Sequence, residues 1–372
     1  MKINRKHALA IAAGAVLAAG TGMVQAAVSA EEAAKLGREL TPVGGEKAGN
    51  AAGTIPAWDG GITRPPAGFR VGQFHTDPFA ADKPLYSVSR ANVQQYANVL
   101  TPGQKAMFAK YPTFRMDVYP TRRSASFPQR TYDFTKRNAT QCQLVSNGEG
   151  VQNCAEGIPF PIPKNAYEVI WNHKLKYKGL SVISYSNQAA PTASGNFTLT
   201  KVREELLGLY YKPGNTSENI NNILLYFKQE VLGPARLAGQ VLLVHETLNA
   251  AAAPRQAWVY NPGQRRVRRA RPARGRCGEA HSDKTKVADL IRPGHLNPDH
   301  MRYELHRVWV VEAKLKEGMR HINSRRTFYV DEDSWQIMLI DHYDGQGNLW
   351  RYSDAPSVNY YEVPTFWSTL ET

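Results

Sequence analysis

Arg326-Thr327-Phe328-Tyr329-Val330, then Asp331-Glu332-Asp333-Ser334, then Trp335-Gln336-Ile337-Met338-Leu339-Ile340: an aromatic and β-branched run, a polar turn and a returning apolar run read as a β-hairpin. The same plan occurs upstream, where Gln256-Ala257-Trp258-Val259-Tyr260 leads through Asn261-Pro262-Gly263 into Arg265-Arg266-Val267-Arg268-Arg269. It continues downstream from Asp341-His342-Tyr343-Asp344 through Gly345-Gln346-Gly347-Asn348 into Leu349-Trp350-Arg351-Tyr352. Between these hairpins the stretch from Tyr303 to Val311 alternates with period two, which predicts one strand with Tyr303, Leu305, Trp309 and Val311 on a single face. Further strands are expected at 167–171, 180–184, 197–202, 206–211, 223–227 and 240–245, the last two open to a helical reading. Short strands at this spacing, without long amphipathic helices between them, predict a mainly β fold built on a large antiparallel sheet, curved or closed. One face of such a sheet is apolar and must be covered.

The region before this β-rich part reads differently. Ser29 and Glu32 form a capping box for a short helix carrying Ala33, Ala34, Leu36 and Leu40. From Thr41 to Gly72 the glycines and prolines rule out a long regular element, while Ile55, Trp58, Ile62 and Phe69 suit a coil laid over a surface. Two helices are then expected: one from Ser89 to about Leu100, and one opened by Thr101 as cap with Pro102 at its first position. The organisation is therefore a leader over 1–26, an N-terminal helical and Gly/Pro-rich covering segment over 27–110, and an antiparallel β domain over 111–372.

The leader carries Lys2, Arg5 and Lys6, a small and apolar run from Ala8 to Val24, and small residues at Val24 and Ala26, the positions expected before a cleavage. It predicts export. Cys142 and Cys154 flank the turn-rich Ser146-Asn147-Gly148-Glu149-Gly150, a spacing that a disulfide closes in an oxidising compartment, leaving Cys277 as the odd thiol. The formal net charge is +14, but the leader and the seven arginines at 265, 266, 268, 269, 271, 274 and 276 account for most of it. The basicity is local. Arg265, Arg266, Arg268, Arg269 and Arg271 form a candidate basic docking patch for anionic lipid or a partner, weighed against a plain solvated face. No helix-turn-helix, finger or RNA-binding signature accompanies it, so nucleic acid is excluded as a partner.

Chemistry-bearing constellations are scarce. His295, His300 and His306 match no established ligand spacing, and two prolines interrupt them, so no metal is assigned. Asp341, His342 and Asp344 read as a turn. No nucleophile elbow, phosphate-cradling loop, nucleotide fingerprint or His-Glu-x-x-His run is present, and no cofactor or catalytic residue is assigned. Aromatic strands in an exported sheet favour an apolar cavity over a sealed core, with Trp258, Tyr260, Tyr303, Leu305, Trp309, Phe328, Val330, Trp335 and Ile337 as candidate lining.

Three stretches carry a family resemblance: Thr41-Pro42-Val43-Gly44-Gly45-Glu46-Lys47-Ala48-Gly49-Asn50, Gly53-Thr54-Ile55-Pro56-Ala57-Trp58-Asp59-Gly60-Gly61, and Met301-Arg302-Tyr303-Glu304-Leu305-His306-Arg307-Val308-Trp309-Val310-Val311-Glu312-Ala313. The chain resembles a family of exported Gram-negative proteins classed as a domain of unknown function, itself similar to the LolA/LolB type of outer-membrane lipoprotein-sorting carriers. The resemblance implies an open β half-barrel with helices over its concave face. It also implies work alongside an inner-membrane export permease and an outer-membrane protein in handling hydrophobic compounds. Two departures are visible: the family has a longer connection where 270–285 is short and Arg/Gly-rich, and it continues beyond the point where this chain ends. The expectation is a periplasmic, non-catalytic carrier or chaperone of a lipid or other hydrophobic molecule, peripheral at the outer membrane. The alternative is a structural or adaptor subunit of an envelope export system.

Overall fold

The computed structural model describes residues 28–269 and 286–368. The expected leader, Arg271, Arg274, Arg276 and Cys277 therefore lie outside the described residues. The fold class is as expected, mainly β with large antiparallel sheets that stay open. Strands β1 (Tyr86–Ser89) and β2 (Arg115–Tyr119) begin a small sheet, and β3 (Gln143–Val145) with β4 (Gly150–Gln152) makes a short hairpin. A six-stranded meander follows: β5 (Ser181–Pro191), β6 (Phe197–Gly208), β7 (Ile223–Gly233), β8 (Val241–Thr247), β9 (Gln256–Asn261) and β10 (Arg266–Arg269), each antiparallel to the next. After the two-residue strands β11 (Ile291–Arg292) and β12 (His295–Leu296), β13 (Tyr303–Glu304) joins β2 in parallel. The second large sheet is β14 (Val308–Lys314), β15 (Arg325–Asp331), β16 (Ile337–Tyr343) and β17 (Leu349–Asp354), and β18 (Ser357–Tyr360) with β19 (Thr365–Ser368) closes the described chain. All three sequence-read hairpins are present, as β9–β10, β15–β16 and β16–β17.

Helices α1 (Ala30–Ala33) and α2 (Pro102–Lys110) start where their capping boxes place them, Ser29 with Glu32 and Thr101 with Gln104. Several local expectations need correction: α1 ends at Ala33, short of the expected Leu36 and Leu40, and the strand expected at 206–211 is the end of β6 followed by a 3₁₀ turn, Leu209–Tyr211. The segment from Ser89 to Leu100 is not one helix: β1 ends at Ser89 and only a 3₁₀ turn, Val93–Tyr96, follows. Residues 167–171 are not a strand but part of α4 (Ala166–Lys174), whose Asn165 side chain accepts the Glu168 N–H at 3.1 Å. Helix α3 (Gln129–Gln141) was not foreseen at all. It buries Thr131, Thr135, Asn138 and Ala139, a polar stripe that a search for apolar periodicity passes over. The stripe is useful because the β4–α4 coil lies against it: Asn138 accepts from Ala155 N and donates to Ala155 O, while Thr135 Oγ1 accepts from Ile158 N.

Helix α4 joins the two large sheets. Val169 packs with Val43, Phe127, Ile158, Val311, Val330 and Trp335 in the core of the four-stranded sheet. Trp171 and Leu175 pack with Leu224 and Leu248 at the base of the six-stranded sheet, in a cluster that includes Cys142 and Cys154. On the other face of the four-stranded sheet lies α2, where Gly103 N and Thr101 Oγ1 donate to Asp341 at 3.1 and 3.4 Å. Asp341 is thus a buried acceptor at a helix start and not the turn residue it resembles; Asp344 does hold its turn, accepting from Gln346 N and Asn348 N. A Cβ at Gly103 would lie 2.1 Å from Asp341 Oδ1, so any side chain there displaces the helix start. The sequence boundary at 110 falls inside a sheet, since β1 pairs with β2 across it.

Cys142 and Cys154 are disulfide-bonded around the β3–β4 hairpin. Replacing both by serine should lower the unfolding free energy by about 2–3 kcal/mol, because the short loop is then free in the unfolded chain. Denaturant melts of the double variant against wild type, without reductant, check this; equal midpoints would refute it.

Candidate functional site

Two arrangements stand out, a buried ionic network and the inner face of the six-stranded sheet. The network is built on Asp331-Glu332-Asp333-Ser334, which reads as a solvent-facing turn but is buried throughout. Arg123, 2% exposed, donates from Nε and Nη2 to the two Asp333 oxygens at 2.8 and 2.7 Å. Its remaining donors reach Glu46 O at 2.7 Å, Pro56 O at 3.2 Å and Lys47 O at 3.3 Å. Arg307 donates to Glu332 at 3.2 Å and to Ala48 O at 2.8 Å, and Glu46 N donates to Glu332 at 3.1 Å. The Gly/Pro-rich coil is therefore fastened to the β15–β16 turn, and Trp335 Nε1 adds a bond to Val43 O at 2.9 Å.

This network explains a further correction. The alternating stretch from Tyr303 to Val311 is split between two sheets, because His306 and Arg307 turn into the network between β13 and β14. His306 Nδ1 meets Asp331 at 3.0 Å and Nε2 meets Glu304 at 3.2 Å. Burial by itself would lower the His306 pKa, but the bonds and charge of Asp331, and then Glu304, outweigh it and push it up to about 10. Asp331 moves down, because His306 and the Ser334 donors outweigh burial. Asp82, bonded to Arg122 and Arg302, is lowered to about 2.

His306, Asp331 and Asp333 bring ligand-type atoms within 4.8 Å of one another, a cluster the sequence spacing did not reveal. Both His306 nitrogens and both Asp333 oxygens are committed to protein partners, so a cation there would have to displace the Arg123 guanidinium. The arrangement is that of a paired salt-bridge network, and it assigns no metal.

The nine candidate lining residues are distributed over three sheets and two connecting segments. Phe328, Val330, Trp335 and Ile337 lie in the packed cluster beneath α4, with Val330 and Trp335 fully buried. Trp309, on the edge strand β14, stacks on Trp335 at 6.1 Å and is 37% exposed. Tyr303 packs in the cluster of the small sheet, and Leu305, between β13 and β14, accepts the Thr121 hydroxyl through its carbonyl. Trp258 and Tyr260 belong to the six-stranded sheet.

Register separates the two faces of that sheet, since directly paired residues project the same way. Trp258 is in line with Ile183, Glu205, Lys228, Leu243 and Arg269, and Tyr260 with Tyr185, Arg203, Glu230 and Val241. This is the outer face: Ile183, Tyr185 and Leu243 are exposed, and Glu205 bridges Arg203 and Lys228. The opposite, inner face carries an unbroken apolar row, Val182, Leu206, Phe227, Val244 and Ala257, one residue from each of five strands. Beside it run Ser184, Glu204, Gln229, Leu242 and Val259, and beyond them Ser186, Val202 and Val231. Ser186, Val202, Glu204 and Val244 are buried. The inner row was missed because no two of its members are close in sequence; only strand pairing assembles it. In the described part of the basic patch, Arg266, Arg268 and Arg269 stand exposed on β10, an edge strand among the described residues, and Arg265 lies in the preceding turn with φ 50°.

The expected family is found. The family described as "Protein of unknown function (DUF1329)" matches residues 87–273 and 277–372, and the chain belongs to it. It is 44% identical to the uncharacterized protein PA3922 of Pseudomonas aeruginosa, across 94% of this chain and 86% of that protein. Among solved structures it is similar to a DUF1329 family protein from Desulfovibrio piger, with 16% identity and TM-score 0.36 over 55% of this chain and 82% of that one. It is also similar to a putative outer membrane lipoprotein-sorting protein domain from Vibrio parahaemolyticus, with 13% identity and TM-score 0.34 over 54% and 81%. A LolA superfamily protein from Nitrosomonas europaea gives 11% identity and TM-score 0.26 over 52% and 78%.

The raised His306 pKa sets the sign of a pH dependence. Its stabilising contribution is complete below the unfolded value of 6.5 and is lost as pH rises toward about 10. Wild type should lose stability across that window by more than His306→Gln, and the two should differ most at the acid end. Urea midpoints from pH 6.5 to 10 check it; parallel curves would contradict it.

Proposed function

We propose that this protein is a periplasmic, non-catalytic carrier or chaperone that holds the apolar part of a lipid or other hydrophobic molecule on the inner face of its six-stranded sheet. The observation that carries the reading is the five-residue apolar row from Val182 to Ala257 on an open sheet whose other face bears the Glu205 pairs with Arg203 and Lys228, while Glu246 and Arg255 pair at the end of the row. Such an apolar strip on an edge-to-edge sheet suits a long, non-directional ligand better than a reacting centre. Export through the leader over 1–26 is consistent with the disulfide. No helix among the described residues is long and apolar enough to cross a membrane. In this reading the chain acts peripherally at the outer membrane, with an inner-membrane export permease and an outer-membrane protein.

A second reading, an adaptor subunit of an envelope export system, is favoured by one feature: β10 offers an exposed, arginine-rich strand edge to a docking strand. The two readings differ in what the inner face must do. In the carrier, Phe227→Asp puts a charge in the apolar row and should weaken binding of an environment-sensitive dye about tenfold or more. Leu243→Asp, on the outer face, should leave dye binding within about twofold, since surface substitutions there remove little. Equal effects, or no dye binding by a cooperatively melting wild type, would favour the adaptor.

A further inference from the structure

Charge is divided unequally between two neighbouring glutamates. Glu205, on the outer face, meets both Arg203 and Lys228. Glu204, on the inner face, is 6% exposed, and among the described residues its side chain meets only the Gln229 amide, with no cation. The nearest arginine in its register row is Arg268, four strands away and so about 19 Å distant at ordinary strand spacing. A buried carboxylate without a cationic partner is costly, and nothing in packing alone requires one beside an apolar row. Ser186, a diagonal neighbour on the same face, supplies an independent observation: its hydroxyl is buried without a hydrogen-bond partner. Glu204, without a cation, and Ser186, without a hydrogen-bond partner, thus border the apolar strip.

We infer that the ligand of this face is an amphiphile whose head is a non-anionic hydrogen-bond donor, a hydroxyl or an amine, held by Glu204 and Ser186 while its chain follows Leu206, Phe227 and Val244. The inference rests on the carrier reading and sharpens it. A donor head completes Glu204 and Ser186 together, whereas a carboxylate head brings a second negative charge to Glu204 in a site poor in water. The site therefore selects by head charge, although the apolar strip is indifferent to it.

Three probes of equal chain length separate the possibilities: dodecanoate, dodecylamine and monododecanoylglycerol, each displacing the dye from the full chain below its micelle concentration. Wild type should bind the amine and the acylglycerol at least about tenfold more tightly than dodecanoate. Glu204→Gln, which keeps shape and an amide partner, should bring all three within about threefold, chiefly by admitting dodecanoate. Ser186→Ala should leave the melting temperature unchanged or raise it, because the lost hydroxyl has no partner in the protein, and weaken the acylglycerol about three- to tenfold. Equal affinities in wild type, or a preference that survives Glu204→Gln, would overturn the inference and leave the carrier standing. Failure of all three probes to displace the dye or bind would overturn the carrier reading and the inference with it.

Discussion

The buried guanidinium of Arg123 is the constraint on which the rest of the structure depends. It closes on Asp333 with two hydrogen bonds and spends its other donors on the carbonyls of Glu46, Lys47 and Pro56. A coil rich in glycine and proline has little side-chain surface with which to pay for being ordered, so fixed donors aimed at its carbonyls take the place of packing. The same pair holds the β15–β16 turn inward, which brings Trp335 under Val43 and lets α4 seat Val169 against Val330. Removing the arginine would leave the Asp333 charge buried and the coil carbonyls without their donors, a worse outcome than losing the pair together.

What was legible in the sequence follows from the range over which each element is determined. The β15–β16 and β16–β17 hairpins read correctly because period-two alternation and turn chemistry lie within a few residues of each other. The capping box at Ser29 and the Thr101 cap before Pro102 are equally local. Helix α3 was opaque because its buried stripe is Thr131, Thr135 and Asn138, whose worth lies in hydrogen bonds to residues 155–158. The break at His306 was opaque for a related reason, since its cause is Asp331 in another hairpin.

The candidate site was less legible than the fold. Large aromatic side chains drew attention to Trp258 and Tyr260, yet register aligns them with Glu205, Lys228 and Arg203 on the outer face. The inner row is made of ordinary residues, Val182, Leu206, Phe227, Val244 and Ala257, and acquires meaning only when five strands are aligned. Residue size predicts how much surface a side chain buries, but pairing decides what it is buried against. The polar turn at 331–334 shows the converse, a run of charges that reads as solvated and is held inside by arginines and a histidine.

The claim that the inner face carries a hydrophobic cargo is tested most directly by native mass spectrometry of the protein released from the cell envelope without detergent. The account predicts a polypeptide accompanied by a small molecule that is shed on collisional activation and is absent when Phe227 is replaced by aspartate. A bare polypeptide mass, from protein that still melts cooperatively and leaves dye unbound, would contradict it.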